Sequence, residues 1–149
     1  MSSTRVATPA DLIDLVGKPL GVSDWHQITQ EQVNLFAEAT GDHQRIHVDP
    51  ERAAAGPFGT TIAHGYLTLA LAPIFIAETL AVDQLTASLN YGLNKGRFPS
   101  PVPVGSRVSG SVSLAAVAQR PAGIEAAFGL VREVEGSDRP ACVAEVVVL

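Results

Sequence analysis

Residues 63–80 form an apolar segment that constrains the fold more than any other part of the chain. Its large side chains occupy nearly the whole circumference of a helix, and they include Leu67, Leu69, Leu71, Ile74, Phe75 and Ile76. A helix that is apolar all round is stable only when other elements enclose it on all sides. Pro73 predicts a kink, because proline lacks an N–H and clashes with the preceding turn. The rest of the chain must therefore supply a surface that covers this helix.

Beyond Val82 the apolar residues recur at every second position, which indicates strands with one solvated face. In the first long run the apolar register contains Val104, Val108, Gly110, Val112 and Leu114, and the polar register contains Arg107, Ser109, Ser111 and Ser113. Further strands are predicted at residues 85–91, 95–98, 124–134 and 141–149, with another at 20–27. Turn residues at 121–123 and 136–138 separate the long strands. The pattern is that of an antiparallel meander.

Three short helices are predicted before the apolar segment. Thr8 is the N-cap of the first, which Gly17 ends, and Thr29 is the N-cap of the second, which Gly41 ends. Asp49 is the N-cap of a third, brief helix. Because helices come first and antiparallel strands follow, the predicted class is α+β, with one sheet that buries the apolar helix. We expect a single domain over residues 1–149.

Composition excludes several classes of function. The chain has 149 residues, 46% of them apolar, and a formal charge of −5, which disfavours a nucleic-acid partner because phosphate binding requires a basic face. Cys142 is the only cysteine, so neither an intrachain disulfide nor a thiolate metal cluster is expected. The sequence shows no signal peptide and no membrane span. These features predict a cytoplasmic protein.

Asp42 and His47 are the strongest catalytic candidates. They lie five residues apart in the polar segment 41–47, which is predicted to be a loop. A carboxylate and an imidazole at this spacing can hold one water between them and serve as base and acid near neutral pH. A structural alternative is a solvated loop in which Asp42 accepts hydrogen bonds from turn amides and His47 packs its ring.

His64 and Gly65 mark the predicted start of the buried helix. Free N–H groups and the positive end of the helix dipole can polarise a carbonyl oxygen there. Glycine would let a ligand approach the backbone closely, although crowding alone would also favour glycine. A metal site is disfavoured, because the histidines lie in a predicted loop and the H-E-x-x-H arrangement is absent. Its candidate ligands would be Asp42, His43, His47, Asp49 and His64.

At these residues the sequence resembles the MaoC-like dehydratases, the (R)-specific enoyl-CoA hydratases also called hydratase 2, including the nodulation protein N-like branch. Residues 36–53 are similar to the hydratase signature: an aromatic residue, a small residue and glycine before Asp42, then Ile46-His47 and Ala53. Gln44-Arg45 replace the usual Asn-Pro. The second block matches at Gly59 and residues 63–65, and the third at Phe98, Pro101, Val102, Val104 and Gly105.

The resemblance implies a hot-dog fold, in which an antiparallel sheet wraps a long central helix and two protomers join their sheets edge to edge. It implies hydration of trans-2-enoyl-CoA to (R)-3-hydroxyacyl-CoA in a homodimer, with a coenzyme A thioester as substrate and without metal or redox cofactor. Asp42 and His47 would be catalytic, and Gly65, Gln44 and His64 would bind the substrate or its oxyanion. Leu69, Pro73 and Ile76, about one turn apart on the helix, would line the acyl pocket.

Three alternatives to a hydratase share this scaffold. A hot-dog thioesterase would bind the same coenzyme A ester but release free thiol. A noncatalytic partner subunit would be expected to lack the Asp/His pair, which this chain has. A thioester-binding module would bind coenzyme A esters without turning them over.

Overall fold

The computed structural model describes residues 2–149. It contains a 3-10 helix at Pro9–Leu15 and five α-helices: α1 (Gln30–Thr40), α2 (Arg45–Val48), α3 (Pro50–Ala54), α4 (Gly65–Ala70) and α5 (Ala72–Thr79). It also contains eight strands: β1 (Thr4–Val6), β2 (Pro19–Val22), β3 (His26–Gln27), β4 (Leu80–Val82), β5 (Asn90–Arg97), β6 (Arg107–Arg120), β7 (Gly123–Val134) and β8 (Pro140–Val148). The predicted α+β class is confirmed.

The main sheet is antiparallel, with the strand order β2-β6-β7-β8-β5, and β3 also pairs with β6. Its long central strands β6, β7 and β8 follow one another in the chain, so the predicted meander is confirmed. β1 and β4 form a separate parallel pair, which the sequence analysis did not predict. Strands this short carry too few residues to show a period.

The helical segment 65–79 packs on one face of this sheet. Phe75 is fully buried among apolar residues of the strands, which include Val108, Val112, Leu114, Phe128 and Leu130. The segment is not one kinked helix: it divides at Leu71 into α4 and α5, and Pro73 lies in the first turn of α5. Proline is compatible with that position because the first turn needs no N–H donor.

The prediction that this helix is enclosed on all sides is wrong for the single chain. One side is exposed, and it carries Tyr66, Ala70, Pro73, Ile74 and Ala77. Tyr66 is 71% exposed and Ile74 is 44% exposed. The sheet of the same chain therefore does not bury the apolar residues on this exposed side of the helix.

The helix caps largely follow the sequence rules. Thr29 accepts a hydrogen bond from the Gln32 N–H at 3.1 Å, and Asp49 accepts one from the Arg52 N–H at 3.1 Å. Gly41 ends α1 at φ 85°, a left-handed conformation that glycine adopts without a Cβ clash. The first predicted helix is a 3-10 helix instead of an α-helix.

Two other boundaries were predicted wrongly. Residues 45–48 form the one-turn helix α2, although the segment 41–47 was predicted to be a loop. Residues 85–89 lie outside any strand, and β5 starts at Asn90, five residues later than predicted. Among residues 2–149, no helix is long and apolar enough to cross a membrane.

Candidate active site

Asp42 is placed by the end of α1. The left-handed Gly41 turns the chain out of the helix, and Asp42 follows it outside any helix or strand. The Gln44 N–H donates to Asp42 Oδ1 at 3.3 Å, which orients the carboxylate along its own loop. Its other oxygen, Oδ2, faces His47 at 4.0 Å from the ring atom Nε2. The Asp42 side chain is 46% exposed, so the carboxylate lies at the boundary between solvent and the protein interior.

His47 is buried on α2, and its tautomer follows from its contacts. Its Nδ1 lies 2.7 Å from the Ile62 carbonyl oxygen, which can only accept a hydrogen bond. Nδ1 therefore carries the proton and donates it. In the neutral ring this leaves Nε2 as a lone-pair acceptor that faces the Asp42 carboxylate. The 4.0 Å between Nε2 and Asp42 Oδ2 exceeds a direct hydrogen bond, but one small group can contact both atoms.

His64 connects the two candidate catalytic residues to the start of α4. Its Nε2–H donates to the Asp42 carbonyl oxygen at 2.9 Å, so the ring fixes the backbone of Asp42. Its ring also stacks on that of His47, with centroids 4.0 Å apart, and packs against Phe36 at 4.8 Å. Nδ1 of His64 is buried and has no hydrogen-bond partner among the described residues. Each of the two stacked rings is thus fixed by a different backbone carbonyl, His47 by that of Ile62 and His64 by that of Asp42.

Gly65 is the first residue of α4, where a backbone N–H has no acceptor within the helix. A Cβ at this position would lie 3.0 Å from the Phe98 ring, closer than ordinary side-chain contacts allow. A side chain at this position would therefore require the Phe98 ring to shift by a few tenths of an ångström. Glycine leaves the N–H approachable from the side on which a Cβ would project.

The structure brings the predicted site residues into one region: Asp42, His47, Gln44, His64 and Gly65. Among the described residues, Asp42, His47 and His64 place one potential ligand atom each within 4.8 Å of one another. In a tetrahedral zinc site with bonds of about 2.1 Å, neighbouring ligand atoms would lie roughly 3.4 Å apart. The 4.0 Å between Asp42 and His47 is longer than that separation. His43 instead lies beside Glu38 at 3.6 Å, outside this group.

A large apolar cavity lies along α5. Its volume is about 770 Å³, in the range of pockets that hold small-molecule ligands. Pro73 and Ile76 line it, together with Leu12 of the 3-10 helix, Leu85 of the loop before β5 and Phe128 of β7. Leu69, also predicted to line the acyl pocket, is not among the residues that line this cavity. Asp42 and His47 do not line it either.

Comparisons with known proteins place this arrangement in a family. The sequence matches the family described as "MaoC like domain" over residues 12–131. The chain belongs to this family.

Two relatives cover nearly the whole chain. The sequence is 59% identical over 140 residues to 3-hydroxyacyl-thioester dehydratase Z of Mycobacterium tuberculosis. The alignment covers 93% of this chain and 93% of the relative. It is 46% identical to Nodulation protein N of Rhizobium meliloti, over 91% of this chain and 86% of the relative. Taken together with the family, the first relative identifies the chain as an enzyme of the hydro-lyase class.

A solved structure supports the fold. The (R)-hydratase of A. caviae involved in PHA biosynthesis superposes with a TM-score of 0.72 at 26% identity. The match covers 89% of this chain and 94% of the hydratase. The hot-dog fold that the sequence resemblance implied is thereby confirmed.

We predict that Gly65→Ala lowers turnover of an enoyl thioester at least about tenfold, because its methyl group collides with Phe98 and occupies the approach to the N–H. Steady-state kinetics of purified Gly65→Ala, Phe98→Ala and the double variant would measure the loss. Activity restored in the double variant would assign the loss to displacement of Phe98. A double variant as slow as Gly65→Ala would assign it to the blocked N–H, and unchanged turnover in Gly65→Ala would contradict the prediction.

Proposed function

We propose that this protein hydrates trans-2-enoyl-CoA to (R)-3-hydroxyacyl-CoA, reversibly, with Asp42 and His47 as the catalytic pair. The observation that carries the proposal is the 4.0 Å separation of Asp42 Oδ2 and His47 Nε2, with each group held by its own backbone contacts. The name of the relative that is 59% identical, a 3-hydroxyacyl-thioester dehydratase, supports the thioester substrate. The (R)-hydratase at 26% identity supports the stereochemistry.

The proposed reaction adds one water molecule across the C2=C3 bond. The water oxygen lies within reach of both Asp42 Oδ2 and His47 Nε2, and the neutral Nε2 can accept a proton because Nδ1 carries its own. As the oxygen bonds to C3, the proton that the water loses is delivered to C2 through the pair. The dehydration reaction uses the same groups in reverse.

The Gly65 N–H would donate a hydrogen bond to the thioester carbonyl oxygen as enolate charge develops there. Removing one such donor costs about 10²- to 10³-fold in rate in other enzymes. His64, immediately before Gly65, would hold Asp42 and His47 in place through its hydrogen bond and its stacked ring. Gln44 would act through its N–H, which orients the Asp42 carboxylate. These steps require no metal or redox cofactor.

We predict that Asp42→Asn and His47→Gln each keep the fold and lose about 10²- to 10⁴-fold of turnover, the range that general acid–base groups contribute. The measurement is the loss of enoyl-thioester absorbance with crotonyl-CoA and with a longer trans-2-enoyl-CoA, followed by chiral analysis of the product. His43→Gln is the matched control, because His43 is an exposed imidazole in the same segment. Prior treatment with a chelator should leave the parental rate unchanged.

The same assay separates the alternatives. Near-parental turnover in both Asp42→Asn and His47→Gln would refute the catalytic pair. Release of free thiol, detected with a thiol-reactive dye, would indicate a thioesterase. Binding of coenzyme A esters without turnover would favour a binding module or a partner subunit.

We propose that the cavity along α5 holds the distal part of the acyl chain. The axial distance from Gly65 to Pro73 is roughly 12 Å for eight helical residues, so only the longer acyl chains would reach the cavity from the oxyanion site. Its lining is mainly apolar, as a hydrocarbon tail requires. Pro73 and Ile76, which face this cavity, are the residues of α5 expected to set its depth.

We predict that Pro73→Ala changes the ratio of kcat/KM between a long and a short trans-2-enoyl-CoA, because it removes the Cγ and Cδ methylenes from the pocket wall. A single methylene in an apolar pocket changes discrimination between substrates by about 10- to 200-fold. Leu69→Ala is the comparison variant, because Leu69 lies on the preceding turn but does not line the cavity. Kinetics with acyl chains of graded length would measure the profile. An unchanged chain-length profile in Pro73→Ala would contradict the proposal that Pro73 sets the depth of the acyl pocket.

We propose that two protomers form a homodimer through the β5 edge of the sheet. Among the described residues β5 pairs only with β8, so its other edge has unpaired backbone groups. Tyr91 and Leu93 on this strand are 62% and 48% exposed, and Tyr66 of α4 is also exposed. A twofold pairing of β5 with its copy would satisfy the backbone groups and cover apolar residues.

We predict that Leu93→Glu weakens this dimer, because two carboxylates would be brought together at a self-complementary interface. Light scattering coupled to gel filtration at graded protein concentrations would measure the mass. Leu35→Glu is the control, since Leu35 is also an exposed leucine and lies on α1, away from β5. A parent that is monomeric at all concentrations would refute the homodimer.

A further inference from the structure

Arg132 is a charged side chain in the centre of the apolar core. It lies on β7 between the sheet and the central helices and is fully buried. Among the described residues, no carboxylate forms an ion pair with it, and its Nε and Nη2 atoms have no hydrogen-bond partner. Burial lowers the pKa of the guanidinium to about 10, which leaves it charged at neutral pH. A buried charge without a counterion is costly, so this residue calls for an explanation.

The sheet is built to accommodate this guanidinium. The residues directly opposite Arg132 on the neighbouring strands are small: Gly110 on β6 and Cys142 on β8. A Cβ on Gly110 would lie 3.0 Å from the ring of Phe75, so a larger residue there would displace the aromatic ring. The Arg132 guanidinium carbon lies 4.4 Å from the centre of the same ring, a cation–π contact.

Arg132 also contacts the other half of the interrupted helix. Its Nη1 donates a hydrogen bond to the Thr68 carbonyl oxygen in α4. In an uninterrupted helix this oxygen would accept from the N–H four residues later, but α4 ends at Ala70 and a new helix starts at Ala72. Arg132 therefore holds both halves at the break: α4 through Thr68 and α5 through Phe75.

Thr68 links this contact to the candidate active site. Its N–H donates to the His64 carbonyl oxygen at 3.2 Å, which places it one helical turn from that residue. His64 in turn donates to the Asp42 carbonyl oxygen at 2.9 Å and stacks on His47. A continuous series of contacts thus runs from the buried guanidinium through α4 to both residues of the catalytic pair.

We propose that Arg132 is a positioning residue for the hydration reaction: it fixes α4 at the helix break and thereby sets the placement of Gly65, His64 and the Asp42/His47 pair. It does not touch the substrate. The expected loss of kcat rests on the proposed function. The expected displacement of His64 and His47 can be measured without any turnover. A misplacement of reacting groups by about 1 Å from a remote change can cost about 10²-fold in rate.

The test replaces Arg132 with methionine, which fills similar space and donates no hydrogen bond. We expect kcat of Arg132→Met to fall roughly 10- to 100-fold, with KM changed by less than about threefold. The midpoint of thermal unfolding should stay near or above that of the parent, because replacing a buried charge with an apolar side chain is often neutral or stabilising. Arg132→Lys, which retains the charge and a donor, should recover part of kcat.

Leu130→Ala is the matched control, since Leu130 is buried on the same strand and on the same face, two residues away. It should lower the unfolding midpoint and leave kcat of the folded protein near the parental value. A loss of kcat in Arg132→Met that Leu130→Ala reproduces would assign Arg132 a merely structural role. Parental kcat in Arg132→Met would also overturn the proposal.

A second measurement tests the positioning role of Arg132 independently of the hydration reaction. The imidazole ¹⁵N and ¹H resonances of His64 and His47 should shift in Arg132→Met, or in Arg132→Lys if the methionine variant does not fold, because α4 carries His64. Unchanged imidazole resonances in a folded Arg132 variant would overturn the positioning role. Shifted resonances in a protein with no hydratase activity would support the positioning role and refute only the proposed function.

Discussion

The packing of an interrupted helix against one face of an antiparallel sheet is the constraint on which the rest of this structure depends. Phe75 is fully buried beneath α5, and Gly110 leaves the space that its ring occupies. The break at Leu71 leaves α4 as a separate short helix that begins at Gly65. His64, immediately before this helix, contacts both Asp42 and His47.

The site is ordered mainly by backbone carbonyl groups. Ile62 accepts a hydrogen bond from His47 Nδ1, and Asp42 accepts one from His64 Nε2. Each carbonyl selects the tautomer of the ring that it contacts, because a carbonyl oxygen cannot donate. In their neutral forms the two stacked imidazoles therefore have defined tautomers, each set by a backbone carbonyl. The partly exposed Asp42 carboxylate lies on the solvent side of the buried His47 ring, with Oδ2 4.0 Å from Nε2.

Local sequence signals were sufficient for the elements around the site. Thr29 and Gly41 predicted both ends of α1, since capping and left-handed termination depend on neighbouring residues only. The alternation in residues 107–114 and 124–134 predicted two long strands for the same reason. One-turn α2 was missed because a single turn shows no helical period, and the pair β1–β4 was missed because it joins distant short segments.

The sequence by itself determined the α+β class, the caps, the apolar helix and the proximity of Asp42 to His47, because each depends on residues close together in the chain. Only the tertiary structure decided that His64 holds the backbone of Asp42, since those residues are 22 positions apart. It alone brought Arg132 to Thr68, across 64 positions, by stacking β7 beneath the helix break. The alternation of β7 puts Arg132 in the register of the buried Leu130 and Val134, but its contacts with Thr68 and Phe75 follow only from the packing of the helices on the sheet.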